Sequence, residues 1–502
     1  MDLNRKRTFL LWVTALVCIR MLIGGWSAFY MMPVSVDDYF RVFHAWWWWE
    51  HPSFTSSFVW LPGYQYMYGP VVGWCGDTVL APRLFTLGLH LTTGLVVVST
   101  GAASPFRRIV ALAMIYFSPL SIPVGSVPFS ESLTFFLLAM HWRFMVRFQG
   151  SNSVISLFGC SLMLMMASAV RYEVWMLIPV FLLGVRPLSV KDASAAVKWS
   201  VLVLPMTFPL IWILHGCANR EGCFAFLAGT REDHLGTGSV VDILTSYWGI
   251  ISLIQIVIIV IAVAMRWRTE KAPVARILSG YLLVALMQVI LLIAADALPS
   301  QLTGRILYPP LILGTLCWTI HQRHLSARWL PGLSALLIFL GAVAFGLFML
   351  RPPGIQPDNY QTAKWVEAQF QSGMLSSSDY VVVSKHLPDS AAILILGNQM
   401  DNIHIDSLRS KCTLEFLTPY APTCELPRWA ENVQVIITWK GSRETAYMKK
   451  LAWKKVAVNN NWIIWRRPPE AVFPERNRAL HPLLLESVTP PPGLHRSSDR
   501  DD

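Results

Sequence analysis

The chain has few charged residues for its length. Only 14% of its 502 residues are Asp, Glu, Lys or Arg, whereas a soluble globular chain carries roughly 25%. The deficit is concentrated in the first two thirds, where apolar residues form long runs; such residues make up 54% of the whole chain. A soluble globular fold is therefore excluded for that part, and many membrane spans are expected.

Two further absences exclude other functions. The eight cysteines form no CxxC pair and no Cys/His spacing typical of a zinc or haem site. The 41 Lys and Arg residues form no single patch but lie in short clusters between apolar runs, so nucleic-acid binding is not expected. No cofactor is firmly implied. His44 and His51 have no partner at a metal-ligand spacing, so no metal ligands are predicted. Whether the protein depends on a divalent metal stays open.

Apolar runs of about 20 residues predict about eleven membrane spans. They lie near 8–30, 83–100, 109–122, 130–147, 153–169, 173–185, 198–215, 244–265, 277–296, 306–321 and 330–350. Two of these runs are short, 109–122 and 173–185, which leaves the count open by one or two. The first run follows a basic N-terminus but is too long for a signal peptide, so we predict that it is an uncleaved span.

Basic residues occur in every second loop, which the positive-inside rule places in the cytoplasm. The basic segments are 5–7, 107–108, 147, 186–198, 266–276 and 323–328. The N-terminus is thus predicted to be cytoplasmic, and an odd number of spans makes the chain after Arg351 extracytoplasmic. The expected location is a cell inner or plasma membrane. On its outer side, disulfides Cys412–Cys424 and Cys217–Cys223 are expected.

The composition changes after residue 350. Short apolar runs at 380–383, 391–396, 433–438 and 462–465 alternate with polar, helix-compatible segments, which predicts a small α/β domain over 351–467. The Pro-rich, charged tail 468–502 cannot bury a core and is expected to be disordered. The predicted fold is therefore an α-helical polytopic membrane domain, 1–350, with a small C-terminal α/β extracytoplasmic domain.

The first outer loop contains an unusual stretch, from Val36 to Tyr68. Asp37 and Asp38 open it, directly after the first span, and a run of four tryptophans follows at 46–49. Acidic side chains at the end of a membrane span are energetically costly, so their presence there indicates a function. Two interpretations stay open: an interfacial or re-entrant loop that holds catalytic acids, or an amphipathic helix on lipid with one acid as its N-cap. The tryptophans are interpreted as interfacial anchors or as acceptor or lipid-chain contacts.

Three more polar motifs fall on the same predicted side of the membrane. They are Ser130-Glu131 at a span start, Arg171-Tyr172-Glu173 in a tight turn, and Arg305 with Tyr308-Pro309 at another span start. An acid there can act as a general base toward an acceptor, and arginine offers a planar fork of donors that matches phosphate oxygens.

Each arginine also has a structural interpretation. Arg171 and Arg305 are candidate ligands for a donor phosphate, with Arg305 first because it has no acid within four residues. Either one could instead snorkel or form an internal ion pair, Arg171 with Glu173 or Glu131. Arg20 lies inside the first span, and for it an internal pair is the prediction.

The order of these motifs resembles the GT-C superfamily of integral-membrane glycosyltransferases, in particular relatives of family 39 protein O-mannosyltransferases and the lipid A aminoarabinose transferases. The resemblance covers roughly 1–350 and depends on Asp37-Asp38, Trp60-Leu61-Pro62, Ser130-Glu131, Arg171-Tyr172-Glu173 and Arg305 with Tyr308-Pro309. Two departures are that Ile306, not tyrosine, follows Arg305, and that the outer domain has no motif that could name the acceptor.

The resemblance implies an activity and roles for residues. The expected reaction moves a sugar from a polyprenyl-phosphate donor to an unidentified acceptor on the outer side and inverts the configuration at the anomeric carbon. Membrane lipids are expected partners of the protein. The first acid of the pair maps onto Asp37 as the base, with Asp38 beside it. The remaining candidates are Glu131, Tyr172, Glu173, Tyr308 and Arg41 as supporting residues and Trp60 and Tyr64 as acceptor or lipid contacts. The alternatives are a transporter or flippase of a lipid-linked anion, and an assembly protein whose outer domain binds a partner.

Overall fold

A computed structural model gives the structure of the chain in two units, residues 1–356 and 357–502. In the first unit it describes residues 3–30, 36–50, 52–55, 60–100, 104–185, 194–218, 247–267, 273–294, 306–320 and 343. In the second it describes 365–366, 368–369, 372–375, 381–383, 403–405, 435–439, 449, 453–458 and 462–467. Structural statements below concern these residues only.

The regular secondary structure described in the first unit is helical. Its α-helices are α1 (Leu3–Tyr30), α2 (Val36–Glu50), α3 (Gly63–Cys75), α4 (Leu80–Thr100), α5 (Pro105–Phe117), α6 (Ser121–Val124), α7 (Ser130–Ser151), α8 (Val154–Ser168), α9 (Leu177–Val185), α10 (Ala195–Ala218), α11 (Tyr247–Trp267), α12 (Pro273–Ala294) and α13 (Tyr308–Ile320). A 3₁₀ helix, Tyr172–Met176, precedes α9.

The apolar runs of the sequence and the helices coincide. Each of the first ten predicted spans overlaps a helix, and the eleventh, 330–350, lies almost wholly outside the described residues. Among the described residues, four helices are long and apolar enough to cross a membrane: Lys6–Phe29, Leu80–Thr100, Val197–Ala218 and Val274–Ala294. The protein is thus an integral membrane protein, while the count of about eleven spans stays a prediction.

The helices pack around a buried core to which α7 contributes heavily. α7 contacts α4 and α8, and its Trp142 side chain is fully buried. α1 instead exposes apolar side chains such as Leu11, Leu22 and Phe29. Exposed leucine and phenylalanine on a long apolar helix indicate a surface that faces lipid.

The connections between helices gather at two ends of the bundle. At one end, Tyr64 donates a hydrogen bond to the Pro128 carbonyl (2.7 Å) and the Gly63 amide donates to the Ala169 carbonyl (2.8 Å). At the other end, Arg108 donates to the Val98 carbonyl (3.1 Å). The described parts of three loops predicted to be extracytoplasmic, 31–82, 119–130 and 170–172, therefore share one end, and a basic loop lies at the other.

Cys217, at the end of α10, is disulfide-bonded. The other four cysteines in the described part, Cys18, Cys75, Cys160 and Cys317, are free. Cys223, Cys412 and Cys424 lie outside the described residues, so the pairs Cys217–Cys223 and Cys412–Cys424 stay predictions that mass mapping of non-reduced peptides can check. An oxidised Cys217 agrees with an oxidising compartment on that side.

The second unit contains a mixed five-stranded sheet. Its strands are β1 (Val381–Val383), β2 (Ile403–Ile405), β3 (Val435–Trp439), β4 (Lys454–Val458) and β5 (Trp462–Arg466), in the order β2-β1-β3-β5-β4. β1 is parallel to β2 and β3, and β5 is antiparallel to β3 and β4.

The apolar runs of the sequence located three of these strands, β1, β3 and β5. The predicted strand at 391–396 lies outside the described residues. β4 was missed because it is an edge strand whose Lys454 and Lys455 are exposed; lysine is common on sheet edges but interrupts an apolar run.

Candidate functional site

A buried cluster of charges lies where the connection before α7 meets the turn after α8. Arg171 Nη1 is 2.6 Å from Glu131 Oε1, and Arg171 Nη2 is 2.5 Å from Glu173 Oε1. Arg171 also donates to Glu173 Oε2 from Nε (3.2 Å) and to Ser130 Oγ from Nη1 (3.1 Å). One guanidinium therefore joins two carboxylates, through two parallel bonds in the case of Glu173. We call Glu131, Arg171 and Glu173 the ion-pair triad.

Local structure explains why these three residues meet. α7 begins at Ser130, so Glu131 lies in its first turn, where the helix dipole favours an acid. α8 ends at Ser168, and the Arg171 amide bonds back to the Ala167 carbonyl (3.2 Å), which closes the turn. Glu173 then lies in the first turn of the 3₁₀ helix.

The triad has an excess of negative charge. Two carboxylates face one guanidinium, and Glu131 is almost completely buried, whereas 19% of the Arg171 side chain and 39% of the Glu173 side chain are exposed. Burial acts to lower the pKa of Arg171, but the two carboxylates more than offset it and raise that pKa above its ordinary value. An incoming phosphate would have to displace an acid from Arg171. Of the two interpretations of Arg171, the geometry therefore favours an internal ion pair over a ligand for the donor phosphate.

The described part of the first outer loop contains the helices α2 and α3. Both Asp37 and Asp38 fall within the first turn of α2, which begins at Val36, and their side chains lie outside the described part. A separation of four residues places positions 37 and 41 on one face of this helix. The guanidinium carbon of Arg41 lies 4.4 Å from the centre of the Trp60 ring, a cation–π contact.

The tryptophan run packs against α3. Trp48 and Tyr66 have ring centres 5.0 Å apart, and those of Trp49 and Trp74 are 5.7 Å apart. Trp48 Nε1 also donates to the Ser53 carbonyl (2.8 Å). These tryptophans therefore hold α2 and α3 together, a role that the sequence interpretation as interfacial anchors did not include.

The Trp60-Leu61-Pro62-Gly63-Tyr64 motif joins the first loop to the triad. A Cβ atom on Gly63 would lie 2.6 Å from the Ala169 carbonyl oxygen, so only glycine permits this close approach to the Arg171 turn. Tyr64 is buried, stacks on Tyr68 with ring centres 4.1 Å apart, and bonds to the Pro128 carbonyl. This geometry makes Tyr64 a support of the site more than a contact for an acceptor.

The fourth predicted motif is partly described. Tyr308 begins α13, is buried, and packs edge-on against Phe135 with ring centres 5.1 Å apart. Phe135 lies one helical turn after Glu131. Arg305 lies outside the described residues. Described parts of all four motifs therefore belong to the same end of the bundle, as the sequence predicted.

One supporting residue of the triad was not found from the sequence. Gln288 of α12 donates from Nε2 to the Glu173 carbonyl (2.8 Å). The sequence could have indicated Gln288, because it is the one amide side chain in a strongly apolar helix and a polar group in a span needs a partner. Within the part of the chain that the structure describes, no group of three or more His, Cys, Asp or Glu residues could hold a metal ion.

The described part of the first unit is a bundle of apolar helices whose connections meet over buried charges, as the resemblance to the GT-C superfamily predicted. Two solved structures of that superfamily share the fold. The crystal structure of ArnT from Cupriavidus metallidurans bound to undecaprenyl phosphate matches with a TM-score of 0.59 and 14% identity, over 92% of this chain and 99% of that chain.

The second is the archaeal oligosaccharyltransferase AglB from Archaeoglobus fulgidus, in complex with an inhibitory peptide and a dolichol-phosphate. It matches with a TM-score of 0.52 and 9% identity, over 89% of this chain and 71% of that chain. No family model and no curated protein matches the sequence. The chain therefore has the fold that the resemblance to the GT-C superfamily predicted.

Proposed function

We propose that the protein is a membrane glycosyltransferase that moves a sugar from a polyprenyl-phosphate donor to an acceptor on the extracytoplasmic side. One observation carries the proposal: the polar connections meet around the triad at one end of a GT-C bundle. In the ArnT structure of the same fold, the bound molecule is undecaprenyl phosphate. A lipid-linked substrate reaches such a site laterally, at headgroup depth.

Asp37 is the proposed general base. Its carboxylate takes the proton from an acceptor hydroxyl or amine, and the acceptor atom then attacks the anomeric carbon of the sugar. The bond between that carbon and the phosphate oxygen breaks, and its electron pair leaves with the lipid phosphate. Attack opposite the leaving phosphate inverts the configuration. Asp38, in the same helical turn, is the second choice for this role.

Arg305 is the proposed ligand of the donor phosphate. Its planar fork of donors suits the negative charge that grows on the leaving phosphate. Arg171 is less suited, because Glu131 and Glu173 already occupy its donors. We assign the triad, with Tyr172, Tyr308 and Tyr64, to holding the connections in place, and Trp60, which is partly exposed and stacked by Arg41, to contact with the acceptor or lipid.

Proteoliposomes that contain a polyprenyl-phosphate sugar labelled in the sugar test this function. Transfer releases free lipid phosphate and moves the label to a water-soluble or lipid acceptor, whereas a transporter moves the intact lipid from one leaflet to the other. Because the sugar and acceptor are unidentified, the donor comes from lipid extracts of a deletion strain, in which the unused polyprenyl-phosphate sugar accumulates. Movement of intact lipid without release of lipid phosphate would overturn the proposal.

A further inference from the structure

A second buried arginine lies in the first span. Arg20 is fully buried in α1, although its neighbours Ile19 and Met21 are about half exposed. Its Nη2 donates to the carbonyls of Ser121 (3.2 Å) and Ile122 (3.4 Å) and to Ser126 Oγ (3.3 Å). All three acceptors belong to the connection from α5 to α7, residues 118–129, which we call the α5–α7 connection.

This arginine has no carboxylate partner in the described part of the chain, so the internal ion pair expected for it is not found there. Its Nε and Nη1 atoms are buried without a hydrogen-bond acceptor in that part. A buried charge held only by neutral groups is costly. Stabilisation of the fold therefore does not explain why an arginine lies at position 20. Its contacts with the α5–α7 connection indicate another role.

The α5–α7 connection approaches Arg20 closely. A Cβ atom on Gly125 would lie 2.5 Å from Arg20 Nη2 and 2.6 Å from the His90 ring. The guanidinium therefore lies against bare backbone at this residue. Any side chain at position 125 would displace either Arg20 or His90.

The same connection carries Glu131 into the triad. Its Pro128 carbonyl accepts the Tyr64 hydroxyl, and Ser132, next to Glu131, donates back to the Val124 carbonyl (2.6 Å). The connection is thus fixed at Ser121–Ser126 by Arg20 and at Pro128 by Tyr64, with Glu131 directly after it. A shift at the Arg20 end would be transmitted to Glu131 through these few residues.

We propose that Arg20 is a positioning residue for the reaction: it fixes the α5–α7 connection from inside the bundle and so sets the position of Glu131 and the triad. Its effect on turnover rests on the proposed function, whereas its effect on the connection does not. Arg20 acts through backbone carbonyls and touches no reacting atom.

The variant Arg20→Leu separates positioning from stability. Replacing a buried ion pair by apolar residues is often neutral or stabilising, and we expect the same for a buried arginine that contacts only neutral groups in the described part. The Ser121 carbonyl keeps the Gly125 amide as its donor (2.9 Å). We expect an unchanged or higher melting temperature in detergent, faster amide hydrogen exchange in residues 118–129, and turnover reduced about ten- to hundredfold with the donor KM unchanged. Arg20→Lys, which keeps a cationic donor of nearly the same reach, should restore part of the exchange protection and of the turnover.

Arg108→Leu is the matched control. Arg108 also ties α5 to its surroundings, through the Val98 carbonyl and the Phe9 ring, but at the opposite end of the bundle. It should leave exchange in 118–129 and turnover as in the wild type. If Arg20→Leu does not fold, Gly125→Ala tests the same contact with the charge retained, and should also speed exchange in the connection.

Each outcome has a defined meaning. Wild-type exchange in 118–129 for both Arg20→Leu and Gly125→Ala would overturn the positioning role, whatever happens to turnover. Parallel loss of melting temperature and turnover in Arg20→Leu, without a local change in exchange, would do the same and leave Arg20 a structural residue. A wild-type protein that releases no lipid phosphate would overturn the proposed function alone, because the exchange measurement does not depend on it.

Discussion

Arg171, which is mostly buried, and Arg20, which is fully buried, are held in opposite ways. Arg171 lies in a turn at the end of the helices and contacts two carboxylates within 2.6 Å. Arg20 lies within α1 and contacts two carbonyls and one hydroxyl, with no carboxylate in the described part of the chain. Arg171 thus has two carboxylates for one positive charge, whereas Arg20 has none among the described residues.

The difference shows which interactions are left for chemistry. An arginine already joined to two acids orders the loops that carry them, but its donors are not open to a phosphate. An uncompensated arginine inside the bundle orients neutral backbone at the cost of its desolvation. We therefore propose Arg305 ahead of Arg171 as the phosphate ligand, and Asp37 as the base.

The largest effect is expected from Asp37→Asn. The change preserves shape and removes the carboxylate that takes the proton, and a general base typically contributes 10²- to 10⁴-fold in rate, so we expect about that loss of sugar transfer. Asp38→Asn in the same helical turn is the control and should lose less. Release of free lipid phosphate by purified protein measures both. Near-wild-type activity in Asp37→Asn would transfer the role of base to Asp38 or Glu131.

Glu131→Leu tests the compensated arginine. It leaves Arg171 paired with the more exposed Glu173 alone. Loss of a buried hydrogen bond between charged groups costs about 1.5–3 kcal/mol in unfolding free energy. The contrast with Arg20→Leu, expected to be neutral or stabilising, is the sharpest form of the comparison. Unfolding in increasing SDS, followed by tryptophan fluorescence, measures it. Equal stability of the two variants would mean that the carboxylates do not distinguish these arginines.

Arg305→Ala tests the proposed phosphate ligand. A hydrogen bond to a charged group is worth about 1.5–3 kcal/mol, so binding of a non-hydrolysable polyprenyl-phosphate sugar analogue should weaken about ten- to hundredfold. Arg305→Lys keeps the charge but loses the two-pronged fork and should fall between Ala and the wild type. Unchanged binding in a folded Arg305→Ala protein would return the phosphate to Arg171.

The sequence predicted the positions of the helices better than the contacts between side chains. Apolar runs located the helices because a span needs about 20 apolar residues, a signal that survives without knowledge of packing. Motif order and sidedness also placed Glu131, Arg171 and Glu173 together. Whether Arg171 would pair with an acid or stay open for phosphate depended on distances across α7 and α8, between residues 40 positions apart, and no local pattern contains those.

The contacts of Arg20 illustrate the same limit. Its acceptors are mainly backbone carbonyls about 100 residues away, and every residue type has a carbonyl, so the sequence offers no partner to recognise. For this reason the sequence could not indicate which internal groups Arg20 contacts. The sequence also gave no indication of the roles of Gly63 and Gly125. A glycine that permits close contact with a neighbouring residue cannot be distinguished in sequence from one in a flexible turn.

The smallest effect is expected from Glu173→Gln. Its side chain is 39% exposed, and ion pairs in contact with solvent contribute about 0–1 kcal/mol because water and salt screen them. The amide oxygen can still accept one bond from Arg171, and the Glu173 carbonyl keeps Gln288 as its donor. We therefore expect unfolding in SDS to shift by less than about 1 kcal/mol, with transfer largely retained. A decrease in unfolding free energy as large as that of Glu131→Leu would contradict this expectation. It would show that Glu173, the more exposed acid, stabilises Arg171 at least as much as Glu131 does.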